Sequence, residues 1–156
     1  MAIGEICTRE VVIANRDVTV KAAAQLMREY HVGCIVLVDE QSGKRKPCSI
    51  LTDRDIAVAV TALGLDPDVI RAGDVAAKEV IEMNEDAGVA ETVAVMRMKG
   101  VRRLPVVDKD GTLIGIIAAD DIVTLLAEEM SGLATMISRE YKKEAAERRT
   151  SAAGRD

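Results

Sequence analysis

The stretch Ser49-Ile50-Leu51-Thr52-Asp53-Arg54-Asp55-Ile56 returns sixty-six residues later as Gly115-Ile116-Ile117-Ala118-Ala119-Asp120-Asp121-Ile122. In both places an apolar run of buried-strand character gives way to a helix start, near Asp53 and near Ala119. Toward the N-terminus the match continues at a different offset. Residues 4–39 align with 73–108 at a shift of sixty-nine, a three-residue insertion separating the two registers. Eleven of those 36 positions are identical, among them Gly4/Gly73, Asn15/Asn84, Met27/Met96 and Asp39/Asp108, so the chain is a duplication.

Each copy carries the same order of elements. A short apolar strand (Val11 to Ile13; Val80 to Ile81) precedes a helix whose apolar residues share a face, with Val20, Ala24 and Met27 answering Val89, Val93 and Met96. A buried-strand run follows, Cys34 to Val38 in one copy and Leu104 to Val107 in the other. The second copy then turns at Asp108-Lys109-Asp110-Gly111, a strong hairpin signal. The first has a longer turn, Asp39 to Pro47, which is basic at Lys44, Arg45 and Lys46 and reads as a solvated loop. A second apolar strand and a second helix complete the unit.

The expected fold class is therefore mixed α/β (α+β): two β-α-β-β-α repeats packed in pseudo-twofold fashion, because each repeat alone leaves one face of its sheet exposed. The first repeat spans 1–63, a short ordered linker 64–72 and the second repeat 73–128. Gly64 and Pro67 end the preceding helix at that linker. A helical extension occupies 129–156, its apolar stripe running through Met130, Leu133, Met136, Ile137 and Tyr141 and requiring a neighbour. Beyond Lys142 the tail is expected to fray.

Composition narrows the function classes. Hydrophobic residues make up 49% of the chain and charged ones 30%, enough to build a core and argue against long-range disorder. Tyr30 and Tyr141 are the only aromatic residues, which removes base-stacking platforms. With a net charge of −5, the chain is a poor match for a nucleic-acid binder. Apolar runs such as Leu113 to Ala119 are too short to cross a bilayer, and Met1 to Glu10 lacks the features of a signal peptide. No membrane association and a cytoplasmic location are expected. The nucleophile elbow, Walker loop, dinucleotide fingerprint and zinc-protease motifs are all missing, so no enzyme is expected.

The duplicated unit resembles the cystathionine-beta-synthase (CBS) domain, which occurs in tandem pairs called Bateman modules. The resemblance rests on Val20 to Met27, Ser49 to Ile56, Gly100-Val101-Arg102-Arg103-Leu104-Pro105-Val106-Val107-Asp108 and Leu113 to Ile117, in order and in both copies. It implies a regulatory module that binds adenosine-containing ligands between the repeats. AMP, ADP or ATP are the candidates, ahead of NAD or S-adenosylmethionine. In that family a hydroxyl residue and an Asp three positions later contact phosphate and ribose, a pattern matched here by Thr52 and Asp55. The second copy keeps Asp121 but has Ala118 in place of the hydroxyl, which favours the Thr52/Asp55 cleft. Arg102 and Arg103 are candidates for phosphate, with Arg54 a weaker one. Strand alternation suggests that only one of Arg102 and Arg103 reaches a given cleft. The resemblance also implies a homodimer. With no effector domain in the sequence, the output is expected to pass to an effector protein in trans, with the apolar stripe of the C-terminal helix a candidate contact.

Blander readings stand beside these. Thr52-x-x-Asp55 is also a capping-box pattern. The missing hydroxyl at Ala118 is compatible with decayed clefts in a ligand-independent interaction protein. His31 with Cys34, Cys7 or Cys48 allows a thiol or metal site, although Cys34 and Cys48 sit in apolar strand patterns where free cysteine is a small core residue. No metal or catalytic cofactor is expected.

Overall fold

A computed structural model describes residues 1–153, with side chains described through residue 149. It comprises two compact units, residues 1–119 and the described residues from 120 onward. The first unit holds two three-stranded sheets of the same topology. In the first sheet, β1 (Ile13–Ala14) runs parallel to β2 (Cys34–Gln41), which pairs antiparallel with β3 (Lys44–Thr52). The second sheet repeats this with β4 (Met83–Asn84), β5 (Arg103–Val107) and β6 (Leu113–Ala118). Helix α1 (Val20–Tyr30) crosses between β1 and β2, and α4 (Val89–Lys99) between β4 and β5. After β3 come α2 (Asp53–Ile56), which continues as a π turn over Ala57–Thr61, and then the short α3 (Ala72–Val75). Helix α5 (Ala119–Ala153) follows β6.

Several local expectations are corrected. The second copy's first strand is Met83–Asn84, not Val80–Ile81, because Met83 and Asn84 are the residues in register with Val106 and Val107. The basic loop of the first copy is a tight hairpin instead. Ser42 and Gly43 both take positive φ (53° and 76°), the left-handed pair that closes a two-residue turn, so Lys44 to Lys46 are strand residues opposite Gln41 to Asp39. In α4 the core face carries Thr92, fully buried, whereas Val93 is exposed. The Thr92 hydroxyl donates to the Gly88 carbonyl at 2.9 Å, which satisfies it inside the core. In α1 the buried set is Val20, Ala23 and Met27.

The two repeats exchange their leading segments. Ile3 and Gly4 donate backbone hydrogen bonds to the Ala87 and Glu85 carbonyls of the second repeat, both at 2.9 Å. Their counterparts Ala72 and Gly73 do the same to Val18 and Arg16 of the first, at 2.8 Å. Close approach requires glycine at both crossings. A Cβ on Gly4 would lie 2.9 Å from the Glu85 Cβ, and one on Gly73 2.9 Å from the Arg16 Cβ. The first core cluster accordingly includes Ala72 and Ala76 beside Ile35, Leu37 and Leu51. The linker is thus a structural part of the first repeat, held further by the Lys21–Asp68 ion pair at 2.9 Å.

The second unit is the remainder of α5. It stays helical from Lys142 to Ala153, where fraying was expected, with Lys143–Glu147 and Glu144–Arg148 spaced i,i+4 along it. The last residues of the expected frayed tail, 154–156, lie outside the described residues. No helix among the described residues is long and apolar enough to cross a membrane.

Candidate functional site

Strand β3 ends by delivering Thr52 in extended conformation as the N-cap of α2. The Thr52 Oγ1 accepts from the Asp55 N–H at 3.1 Å, while Asp55 Oδ2 accepts from the Thr52 N–H at 2.9 Å and from its hydroxyl at 2.8 Å. This is a complete capping box. Both of its bonds to the carboxylate fall on Oδ2, so Oδ1 takes no part in the cap. The Asp53 N–H donates to the Gly33 carbonyl at 3.0 Å, tying the junction to the start of β2. The Ser49 hydroxyl donates to the Ala77 carbonyl, which draws the segment after α3 against the same strand.

Beside this junction lies a cleft of about 500 Å³, within the range of roughly 300–1,000 Å³ typical of small-molecule sites. Thr52, Asp53, Arg54 and Asp55 line one side, and Gly100, Val101, Arg102 and Arg103 of the second repeat line the other. Ile50, Val80 and Ile81 add apolar surface, and Glu79 a third carboxylate. The structure therefore brings Thr52, Arg54, Asp55, Arg102 and Arg103 together around one space. Asp121 stands in the first turn of α5, outside this lining. Arg102 and Arg103 both line the cleft, contrary to the expectation that only one would. The reason is that β5 begins at Arg103, so Arg102 precedes the strand and escapes its alternation.

Sequence reading missed the Glu79–Ile81 wall. The available signal was the repeat itself, since Val80 answers Val11, but the apolar pair was assigned to a strand. Cys34 belongs to the electrostatic surroundings of the site: burial pushes its thiol pKa up, the Arg103 charge opposes this and the Asp53 charge adds to it.

A second depression of about 470 Å³ is lined by Glu10, Val11, Val12, Ile13, Leu26, Tyr30 and Val32. Glu10, Val11 and Val12 are the counterparts of Glu79, Val80 and Ile81, but no cationic side chain is part of this lining. Its chemistry is poorly suited to an anion. His31 is exposed and closes α1 in left-handed conformation (φ 54°). Cys34 and Cys48 are free thiols, the Cys48 Sγ donating to the Leu37 carbonyl at 3.3 Å, and the buried Cys7 Sγ donates to the Gly4 carbonyl at 3.7 Å. Among the described residues, no group of three or more His, Cys, Asp or Glu side chains is placed to hold a metal ion.

The profile of the CBS domain matches residues 3–62 and again 72–128. The chain belongs to the CBS domain family. A Methanopyrus kandleri relative of this CBS pair is 39% identical over 123 residues, which are 79% of this chain and 61% of that protein, so the pair spans under two thirds of that relative's length. Hypoxic response protein 1 of Mycobacterium tuberculosis is 33% identical, covering 80% of this chain and 84% of that one. A solved structure of Hypoxic Response Protein I holds two coordinated zinc ions and superimposes with a TM-score of 0.69 at 31% identity, over 80% of this chain and 98% of that one. A hexameric CBS-CP12 protein from bloom-forming cyanobacteria matches at TM-score 0.70 and 31% identity, over 79% and 69% of the two chains. A CBS domain protein from Pyrobaculum aerophilum, solved in complex with AMP, matches at TM-score 0.71 and 27% identity, over 82% and 99%.

Proposed function

We propose that the cleft between Thr52–Asp55 and Gly100–Arg103 binds an adenosine-containing ligand, with AMP, ADP or ATP as the candidates, and that this CBS pair is a regulatory module reporting binding to a protein partner in trans. The observation that carries the reading is the convergence, on one small-molecule-sized cleft, of a hydroxyl and a carboxylate from one repeat with two guanidinium groups from the other. The chemistry is complementary to a nucleotide. Guanidinium groups grip phosphate oxygens through paired donors, Asp55 Oδ1 can accept from ribose hydroxyls, and Ile50, Val80 and Val101 offer apolar surface to a base. The AMP-bound Pyrobaculum relative supports the ligand class. A ligand of this kind acts as a signal only through its differential affinity for two arrangements of the module.

One observation favours a second reading, a ligand-independent interaction protein: the Thr52–Asp55 cap is complete without any ligand. Thermal-shift titration with AMP, ADP, ATP, NAD and S-adenosylmethionine separates the two. A ligand at 100 times its Kd stabilises the native state by about 2.7 kcal/mol, which for a chain of this size is a rise of roughly 5–10 °C. The rise is expected for an adenine nucleotide and is expected to be lost in Arg103→Ala. Asp55→Asn retains an acceptor for the Thr52 cap yet presents an amide donor where ribose hydroxyls would donate, so it should remain as stable as the parent and bind weakly. No shift with any ligand would leave the interaction reading in place.

A further inference from the structure

We propose that α5 pairs antiparallel with α5 of a second copy of the chain. Val123, Leu126, Met130, Leu133 and Ile137 recur at alternating spacings of three and four residues, the seam of a two-helix coiled coil. All five are between 45% and 71% exposed, so the seam is open along its length. A helix of 35 residues is about 52 Å long, long enough for a partner to lie along the whole stripe.

The charge pattern chooses the occupant and its direction. From Ala119 to Ser138 the only charged residues are the acidic Asp120, Asp121, Glu128 and Glu129, whereas the next turn and a half carries three cations, Arg139, Lys142 and Lys143, against the single carboxylate Glu140. Parallel pairing in register would set each of these groups against its own copy. Antiparallel pairing, with the twofold axis passing between Ser131 and Gly132, does the opposite. It places Met130 against Leu133 and Leu126 against Ile137, with Val123 level with Glu140 at each end of the seam, while the acidic first turn faces Lys142 and Lys143 of the other copy. Helix dipoles also oppose one another in that arrangement. The chain is therefore complementary to itself along this helix.

The test uses the full-length protein. Sedimentation equilibrium at micromolar concentration is expected to show self-association, and Leu133→Glu, which each pair would carry twice, is expected to weaken it by at least ~100-fold. Leu133 is 58% exposed, so the substitution leaves the fold intact, and Leu133→Gln serves as an uncharged control. Direction is read by a short bis-maleimide. Two copies of Met130→Cys lie within about one helical turn along the axis and should cross-link, whereas two copies of Val123→Cys lie about 25 Å apart and should not. The unsubstituted protein reports any background from its own thiols. A monomer, an assembly unchanged by Leu133→Glu, or efficient Val123→Cys cross-linking would each overturn the proposal. A monomer would assign the stripe to a different protein.

Discussion

Replacing Ile3 by alanine tests the exchanged leading segments directly. A residue in a leading segment outside both sheets ordinarily contributes little to stability, because such segments fray. Ile3 is instead completely buried, with its N–H bonded to the Ala87 carbonyl of the second repeat. Its counterpart Ala72 belongs to the core cluster of the first repeat. Truncation removes three carbons, worth about 2.4 kcal/mol at ~0.8 kcal/mol per methylene. The cavity left behind raises the expected loss to about 3–4 kcal/mol. With a urea m-value of about 2 kcal/mol/M, the unfolding midpoint should fall by roughly 1.5–2 M. Amide hydrogen exchange should locate the loss in β4, β5 and β6, over seventy residues away in the chain. A destabilisation below about 1 kcal/mol, or loss of protection confined to the first sheet, would refute the exchanged packing.

Three further outcomes are expected. Gly115→Ala would bring a Cβ to 2.6 Å from the Cys7 Sγ and 3.0 Å from the Thr8 carbonyl, and should cost about 1–3 kcal/mol by chemical denaturation; a neutral result would mean that the N-terminal segment gives way freely. The Asp108 carboxylate is held below its usual pKa, chiefly by the Thr112 N–H and also by that of Asp110. Its contribution to stability is complete above the unfolded value of about 3.9 and lost as the pH falls through the lower folded value; Asp108→Asn should remove that part of the acid dependence in pH-stability curves, and an unchanged acid limb would contradict it. Burial raises the pKa of the Cys34 and Cys48 thiols. Both should therefore alkylate more slowly at pH 8 than an unstructured cysteine peptide, and rapid labelling of either by mass spectrometry would count against the packing described.

The fold was legible because the chain states it twice. Two copies with the same helix periodicity and the same strand-to-helix junction constrain one another, so the order of elements and the Thr52–Asp55 cap could be read from residue types alone. The errors fell where the deciding interaction is non-local or very short. A two-residue strand such as Met83–Asn84 has no periodicity to detect, and the more apolar Val80–Ile81 drew the assignment, although it forms a cleft wall. The Ser42–Gly43 hairpin depends on two positive φ values, which a basic stretch after it obscured. Thr92 displaced Val93 from the core face because a buried hydroxyl can bond to its own helix, which hydrophobicity does not anticipate. The exchanged segments are held by backbone hydrogen bonds as well as by burial of Ile3 and Ala72, and those bonds have no side-chain signature beyond the pair Gly4 and Gly73.

The crossed leading segments alter what counts as a heritable piece of this protein. A gene cut at the apparent joint, between residues 63 and 64, would yield two fragments that each lack the stretch closing their own interior and carry the stretch belonging to the other. A piece running from residue 9 to residue 77 would instead encode one closed interior. The duplication therefore cannot be undone by snipping at the seam visible between the copies, and a lesion in residues 3–8 would be felt in the half encoded last.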